Sequence, residues 1–152
     1  MTPGEFLDKL LPAAQACQRD FGIPVSFTLA QAALESSWGT RAPGCNLFGV
    51  KADRSWKGAT VDVPTHEVYK GVRIPVVAKF RAYSSWAECI VDHAVFFRQN
   101  PRYTNCFREA TGEGWARAVA AAGYATDPAY GQKLVDVMRG RNLQRFDVAA
   151  AA

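Results

Sequence analysis

A single acidic residue at the end of a long apolar run most constrains how this chain can fold. Between Phe27 and Leu34 most residues are Phe, Leu or Ala, and Glu35 follows immediately. A helix that is apolar around most of its circumference is a buried helix. Gly39 predicts the end of this helix, which places Glu35 in its last turn. The run therefore predicts a carboxyl group carried into the interior of a helical domain.

The environment predicted for Glu35 makes it a candidate general acid. Glutamate is rarely fully buried unless it is paired or functional. Burial and the negative end of the helix dipole both disfavour the ionised form, so both raise its pKa. A carboxylic acid that stays protonated near neutral pH is the group a glycosidase uses to protonate a leaving oxygen. The alternative is a structural glutamate satisfied by a buried arginine or by backbone donors.

Length and composition favour one ordinary globular domain. The chain has 152 residues and a formal net charge of +4, with a pI of about 9.0. We predict a single domain over residues 1–147 and a frayed small-residue tail over 148–152. The positive charge suits an anionic polymer such as cell wall or nucleic acid, although solvated helix ends explain it equally well. No stretch approaches the roughly 18 apolar residues of a membrane span, so no membrane insertion is expected.

The cysteines and histidines give little sign of metal chemistry. The four cysteines form no CxxC pair and have no metal-ligand spacing. Cys17 and Cys89 fall on apolar helical stripes and are predicted core thiols. Cys45 and Cys106 lie beside asparagines in loop-like stretches, where a disulfide between them is one option. The two histidines are isolated in sequence, so we expect no metal and no cofactor.

Periodicity and capping signals predict a mostly helical chain interrupted by one β-hairpin. Apolar and polar residues alternate from Thr60 to Tyr83, and Pro64 and Pro75 keep the two strands at a sheet edge. Helices are predicted over residues 3–19, from Ser26 (as N-cap) through Glu35, from Ser85 to before Pro101, over 114–122, and over 128–139 with Asp127 as N-cap. The sequence thus predicts an α+β, mostly helical, lysozyme-like arrangement.

Five segments in order resemble the endo-β-N-acetylglucosaminidases of glycoside hydrolase family 73. That family includes the wall-hydrolysing domain of flagellar rod-assembly proteins, bacterial autolysins and some phage lysins. The resemblance spans about residues 4–143 and implies a helical lobe and a small β-hairpin lobe flanking a cleft. It also implies cleavage of the β-1,4 bond on the N-acetylglucosamine side of peptidoglycan. The matching segments are Ala30–Gly39, Asn46–Lys51, Thr65–Glu67 with Gly71, Phe80–Ser85 and Tyr124–Tyr130.

The resemblance assigns roles to three candidate catalytic residues. Glu35 matches the general acid that protonates the leaving oxygen. Glu67 matches a second acid on the hairpin and would activate water as a base, giving inversion. Two alternatives stay open for Glu67: an exposed hairpin charge, or a secondary role if the substrate's acetamido group is the nucleophile. Tyr124 would orient the acetamido group or stabilise positive charge, the alternative being a core tyrosine.

A second set of residues is predicted to bind the sugar chain. Trp38 would form an apolar wall beside the acid and help to raise its pKa. Asn46 would hydrogen-bond an acetamido group, although a turn-stabilising asparagine is nearly as plausible. The predicted substrate contacts are Trp38, Asn46, Phe48, Lys51 and Tyr130.

Several other functions compete with the glucosaminidase prediction. The nearest is a muramidase or lytic transglycosylase that cuts the other glycosidic bond, and a further one is a wall-binding module without catalysis. No recognition helix or aromatic platform supports nucleic-acid binding. We therefore expect a monomer whose partner is the glycan strand of peptidoglycan. The capping box predicted at Thr2–Glu5 begins folded structure at once, so we expect a chain made without a signal peptide, the alternative being a leader that has been removed. We expect it to act on the cell wall or in the periplasm as a phage lysin, an injected effector or an excised domain.

Overall fold

Five α-helices and one antiparallel hairpin make up residues 1–148, the part of the chain that the computed structural model describes. The elements are α1 (Pro3–Phe21), α2 (Val25–Ser36), β1 (Thr60–Tyr69), β2 (Val72–Arg81), α3 (Trp86–Gln99), α4 (Gly112–Ala121) and α5 (Tyr130–Gly140). Short 3₁₀ segments cover Pro43–Cys45, Pro101–Arg108 and Leu143–Phe146. This confirms the predicted α+β, mostly helical class. No helix within residues 1–148 has the length and apolar character needed to cross a membrane.

Helix α2 is the central element of the helical lobe. Every residue from Val25 to Ala33 is buried, and the helix packs against α1, α4 and α5. The ring of Phe27 lies 5.4 Å from that of Trp115 and 5.9 Å from that of Phe97, centroid to centroid. The apolar run in the sequence therefore corresponds to a helix surrounded by other helices, as predicted.

The N-terminus of α2 differs from the prediction that Ser26 caps it. Pro24 occupies the N-cap position, and Ser26 lies inside the first turn. The carboxylate of Asp147 accepts hydrogen bonds from the backbone N–H and the hydroxyl of Ser26, both at 2.7 Å. An acceptor 121 residues away thus satisfies the donors that a local cap would have satisfied.

Asp127 is likewise not the N-cap of α5, because this helix begins at Tyr130 with Ala129 as N-cap. The Asp127 carboxylate instead accepts hydrogen bonds from the Ala129 N–H at 2.8 Å and from Lys133 Nζ at 2.5 Å. It stabilises the turn before the helix rather than the first helical turn itself. Two other boundaries shift by two residues: α1 continues to Phe21, and α4 begins at Gly112.

The hairpin is a two-stranded sheet with both strands at an edge, as the prolines predicted. Thr60 pairs with Arg81 at the base, and Tyr69 pairs with Val72 at the tip. Because side chains alternate along a strand, Val61, Val63 and Glu67 share one face of the hairpin. Val61 packs near Gly44 and the 3₁₀ segment, whereas the tip beyond Glu67 is exposed.

All four cysteines are free thiols in this structure. Burial raises the pKa of Cys17 to about 12 and that of Cys89 to about 12, so both stay protonated and unreactive. The optional disulfide between Cys45 and Cys106 is not formed. Val148 is hydrogen-bonded at both its N–H and its carbonyl to the Gln18 side chain. The rest of the predicted tail, residues 149–152, lies outside the described residues.

Candidate active site

Glu35 lies where α2 ends abruptly. The helix stops at Ser36, and Ser37, Trp38 and Gly39 follow with φ values of 50°, 59° and 86°. A Cβ atom at Gly39 would come within 2.8 Å of the Phe6 ring, so this position needs glycine for space as well as for its backbone conformation. The left-handed turn begins two residues before the predicted stop. It directs the chain away from the helix axis and leaves Glu35 at the edge of the lobe.

Glu35 lines an open cleft of about 380 Å³ between the two lobes. The helical lobe contributes Phe96 from α3 and Tyr124 from the segment between α4 and α5. Lys51 and Arg81 come from the base of the hairpin lobe. The structure thus brings four predicted site residues to one cavity: Glu35, Phe48, Lys51 and Tyr124.

The Glu35 carboxyl group is half-buried and held at one oxygen. The Tyr130 hydroxyl donates a hydrogen bond to Oε1 at 2.7 Å. Burial raises the pKa of Glu35 above its ordinary value of 4.5, and the bond from Tyr130 lowers the pKa by a smaller amount. Oε2 accepts no hydrogen bond from a described residue. The arrangement can therefore present a proton to a ligand in the cleft.

Tyr130 is part of a buried chain of hydrogen bonds that links three helices. Gln31 Nε2 donates to the Tyr130 hydroxyl oxygen at 3.0 Å, and His93 Nε2 lies 2.9 Å from Gln31 Oε1. These directions require His93 to carry its proton on Nε2. The chain runs from α3 through α2 to α5 and ends at Glu35. His93 Nδ1 is buried without a partner, but Gln31 and Tyr130 are each hydrogen-bonded on both sides, and this restrains the orientation of the Glu35 carboxyl group.

His93 is neutral within this chain. Burial, with a smaller contribution from the Arg81 charge, lowers its pKa from 6.5 to about 3. Its ring stacks on Phe48 at 3.8 Å between centroids and lies parallel to Phe96 at 5.6 Å. Both phenylalanines line the cleft, so the same histidine supports the cleft floor and the hydrogen-bond chain.

Tyr124 is one of the residues that line the cleft. Its ring stacks on that of Tyr130 with centroids 5.7 Å apart and an interplanar angle of 13°. Burial raises the pKa of Tyr124 well above 10, so the hydroxyl stays protonated and can donate. No described residue hydrogen-bonds that hydroxyl. Tyr124 is therefore available to a ligand in a way that Tyr130, which is occupied by Glu35 and Gln31, is not.

Glu67 does not line the cavity that contains Glu35. Its carboxylate lies 3.7 Å from Lys51 Nζ, and both side chains are 60% exposed. Lys51 does line the cleft, so Glu67 is one residue removed from it. Glu67 lies on the hairpin face that carries Val61, outside the lining of the cleft.

Asn46 and Trp38 lie outside the cleft lining. Asn46 is 2% exposed. Its Nδ2 donates to the carbonyls of Val50 and Arg81 at 2.9 Å each, and Oδ1 accepts from the Val50 N–H at 3.2 Å. This is the turn-stabilising alternative, because all of its polar atoms are engaged. Trp38 packs edge-on against Phe6 at 6.1 Å on the other side of the turn.

Several cleft residues were not predicted from the sequence. They are Gly49, Val50, Asp53, Arg81, Phe96, Tyr103 and Ala125. Arg81 lies in the segment Phe80–Ser85 that resembles the family, and this resemblance was the only sequence feature that could have indicated its place in the cleft. Phe96 could not be distinguished from the other apolar residues of its helix, and no sequence motif marked Asp53 as a cleft residue. Among residues 1–148, no cluster of three or more His, Cys, Asp or Glu side chains could hold a metal ion.

A half-buried acid over a cleft between a helical lobe and a β-hairpin is the arrangement of a lysozyme-like glycoside hydrolase. The family described as mannosyl-glycoprotein endo-beta-N-acetylglucosaminidase matches residues 11–143. The chain belongs to this glucosaminidase family.

Individual relatives agree with the family assignment. The peptidoglycan hydrolase FlgJ of Escherichia coli is 42% identical over 147 residues, which is 90% of this chain and 47% of that protein. The exo-glucosaminidase LytG of Bacillus subtilis is 37% identical over 150 residues, 93% of this chain and 52% of that protein. The chain spans about half the length of these relatives. The solved glycoside hydrolase domain of Salmonella typhimurium FlgJ, truncated at its C-terminus, is 40% identical, with a TM-score of 0.80 over 93% of this chain and 98% of that one.

Proposed function

We propose that this domain hydrolyses peptidoglycan at the β-1,4 bond on the N-acetylglucosamine side, with Glu35 as general acid. One observation carries the proposal: Glu35 lines an open cleft with a raised pKa, one oxygen held by Tyr130 and the other free of protein partners. A protonated Oε2 delivers its hydrogen to the glycosidic oxygen as the bond breaks.

Glu67 is the proposed base. It is carried on the hairpin next to Lys51, which lines the cleft, and this role requires the hairpin to approach a bound strand. A carboxylate at that place activates a water molecule on the face of the sugar opposite to Glu35, and the product anomer is inverted. The competing route uses the substrate's own acetamido group as nucleophile and makes Glu67 dispensable.

Tyr124 is the proposed contact to the reacting sugar. Its protonated hydroxyl has no described protein partner and lies in the same cavity as Glu35. A donor there can hold the acetamido oxygen in one orientation. Phe48 and Lys51, which line the same cleft, keep their predicted roles as substrate contacts.

We revise three roles from substrate contact to support. Tyr130 positions Glu35, because its hydroxyl is 2.7 Å from Oε1. Asn46 stabilises the turn before Val50, and Trp38 stabilises the turn that ends α2. We keep the proposal that the domain is monomeric and acts on the cell wall.

Product analysis tests this function directly. Purified peptidoglycan is digested, reduced with borohydride and examined by mass spectrometry for new reducing ends. We expect cleavage within long strands, which produces fragments with reduced N-acetylglucosamine ends. If sugars are released only from the ends of strands, the domain is instead an exo enzyme, as named for LytG. Reduced or anhydro-muramic ends would overturn the proposed bond specificity, and the absence of new ends would leave a wall-binding module.

A further inference from the structure

A second cavity opens beside the catalytic cleft. It has a volume of about 280 Å³ and is bounded by the last turns of α3 and by the segment around Asp53. Asp53, Arg81 and Phe96 line both cavities, so the two cavities are neighbours. We call this second cavity the side pocket, formed by Asp53, Arg81, Asp92, Phe96, Gln99 and Asn100.

The side pocket contains a fixed guanidinium with unused hydrogen-bond donors. Arg81 Nη1 donates to Asp92 Oδ2 at 2.9 Å, and the Tyr83 hydroxyl donates to the same oxygen at 2.5 Å. The Arg81 side chain is 12% exposed and stacks over the Trp56 ring at 4.7 Å. Its Nε is buried without a partner, and Nη2 donates to no described residue. The guanidinium is therefore held in place, and its Nη2 has no partner among the described residues.

The same pocket contains a fixed, exposed carboxylate. Asp53 Oδ1 accepts hydrogen bonds from the N–H of Ser55 at 2.9 Å and from its hydroxyl at 2.5 Å. These bonds lower the pKa of Asp53, with a smaller contribution from the Arg81 charge, so the group is ionised at neutral pH. Oδ2 accepts no hydrogen bond from a described residue. Asp53 and Arg81, each with a polar atom free of described partners, thus line one small cavity.

We propose that the side pocket binds an amino-acid zwitterion, with the ammonium on Asp53 and the carboxylate on Arg81 Nη2. This inference rests on the proposed function, because peptidoglycan supplies such a group as the free amino-carboxylate end of a diamino acid in its stem peptide. A neutral sugar ring has no charges to pair with the fixed positive and negative groups of this pocket. A phosphate is disfavoured by the carboxylates of Asp53 and Asp92, and a group with only a positive charge is disfavoured by Arg81.

The position of the side pocket fits a peptide that branches from the glycan. The stem peptide begins on a muramic acid residue, so a strand lying in the cleft carries its peptides along the cleft walls. A cavity that shares Arg81 and Phe96 with the cleft is within reach of such a branch. The side pocket accordingly binds the stem peptide while Glu35 acts on the glycan strand.

Binding of soluble fragments tests the recognised chemistry. The probes are three N-acetylmuramyl tripeptides whose third residue is meso-diaminopimelate, lysine or alanine, titrated by isothermal calorimetry or by NMR shifts. The diaminopimelate probe carries both charges, the lysine probe only the ammonium and the alanine probe neither on its side chain. We expect affinity to fall in that order, by about fivefold for each lost pair. Equal affinities for all three probes would overturn the inference.

Hydrolysis with a matched variant separates this inference from the proposed function. Asp53→Asn removes the charge but keeps an oxygen for Ser55, and Asp136→Asn is an exposed control on α5 outside both cavities. We expect Asp53→Asn to raise KM about fivefold more on intact diaminopimelate-type peptidoglycan than on strands stripped of peptides by an amidase, and Asp136→Asn to change neither. An equal loss on both substrates, or no loss on either, overturns the side-pocket assignment. If the wild-type domain produces no new reducing ends on either substrate, the proposed function itself fails.

Discussion

Tyr130 donates its hydroxyl hydrogen to Oε1 of Glu35 across 2.7 Å, and this bond favours the ionised acid. Burial of the same carboxyl group favours the protonated acid and is the larger of the two effects. The proton affinity of Glu35 is therefore a balance between two opposing influences that mutation can separate.

Tyr130→Phe removes the influence that lowers the pKa of Glu35. We expect the alkaline limb of the kcat–pH profile to move to higher pH, because the ionised acid loses its donor. We also expect kcat to fall about tenfold, because the carboxyl group loses its orientation. The measurement is kcat against pH on soluble glycan strands, with Tyr69→Phe at the exposed hairpin tip as control. An unmoved alkaline limb would show that Tyr130 does not position the acid.

Glu35→Gln removes the transferable proton and keeps the shape of the side chain. We expect activity to fall at least about 100-fold. At neutral pH, however, Glu35→Gln should be more stable to thermal unfolding than the wild type. Below pH 4.5 the acid is protonated in both folded and unfolded chains, so the variant and the wild type should melt alike. As the pH rises from there through the raised folded pKa, the wild type loses stability by ionising a half-buried group, and the variant does not. Thermal unfolding at several pH values checks this, and a variant that is less stable at neutral pH would contradict it.

Glu67→Gln tests the base. We expect a loss of kcat comparable to that of Glu35→Gln, and partial rescue by azide with an inverted glycosyl azide as product. Asp62→Asn is the matched control, since Asp62 is also an acid of the hairpin, 60% exposed, paired with Lys79 at 3.0 Å. It lies on the opposite strand face and should retain full activity. A Glu67→Gln domain that keeps most of its activity would favour the acetamido group as nucleophile.

His93→Gln tests the neutral histidine at the far end of the hydrogen-bond chain. The folded pKa of about 3 lies below the unfolded value of 6.5, so the wild type loses stability as the pH falls between these values. A glutamine amide can still donate to Gln31 Oε1 but does not titrate. We expect the variant to be less stable at pH 7, because it loses the stacking on Phe48, yet to lose less stability on acidification. Parallel denaturant curves at pH 7 and pH 5 would reveal the difference, and equal slopes with pH would contradict it.

Asp147→Ala tests the remote cap of the helix that carries Glu35. The variant leaves the N–H and hydroxyl of Ser26 without their acceptor in a part-buried place. We expect the free energy of unfolding to fall by about 1.5–3 kcal/mol, since the bonds involve a charged acceptor. Urea unfolding measures it, and Asp147→Asn, which keeps one acceptor oxygen, should fall between the two proteins.

The fold was predictable because its signals are local. The apolar run of α2, the alternation in the hairpin and the Ser85 cap of α3 each specify an element within a few residues. The same reasoning failed at the starts of α2 and α5, where Pro24 and Ala129 are the N-caps and, for α2, the acceptor comes from the remote Asp147. No local pattern encodes a hydrogen bond between residues 121 positions apart.

The candidate site was predictable only where chemistry and sequence pattern coincide. Glu35 was identifiable because an acid in an apolar helix is unusual. Tyr130 was assigned to substrate because its motif was visible, whereas its bond to Glu35 depends on how α5 packs against α2. The side pocket depends on Asp53 meeting Arg81, and these residues come together only in the folded chain.

The contacts of Asp147 with Ser26 and of Val148 with Gln18 determine how a pulling force on the chain would reach α2. They fasten the end of the described chain to the first turn of α2 and to α1. Tension applied to the chain beyond Val148 would first load these bonds, and through them the far end of the helix that holds the acid. Any fusion partner should therefore be joined through a slack linker placed after Val148, so that force does not reach the reaction centre.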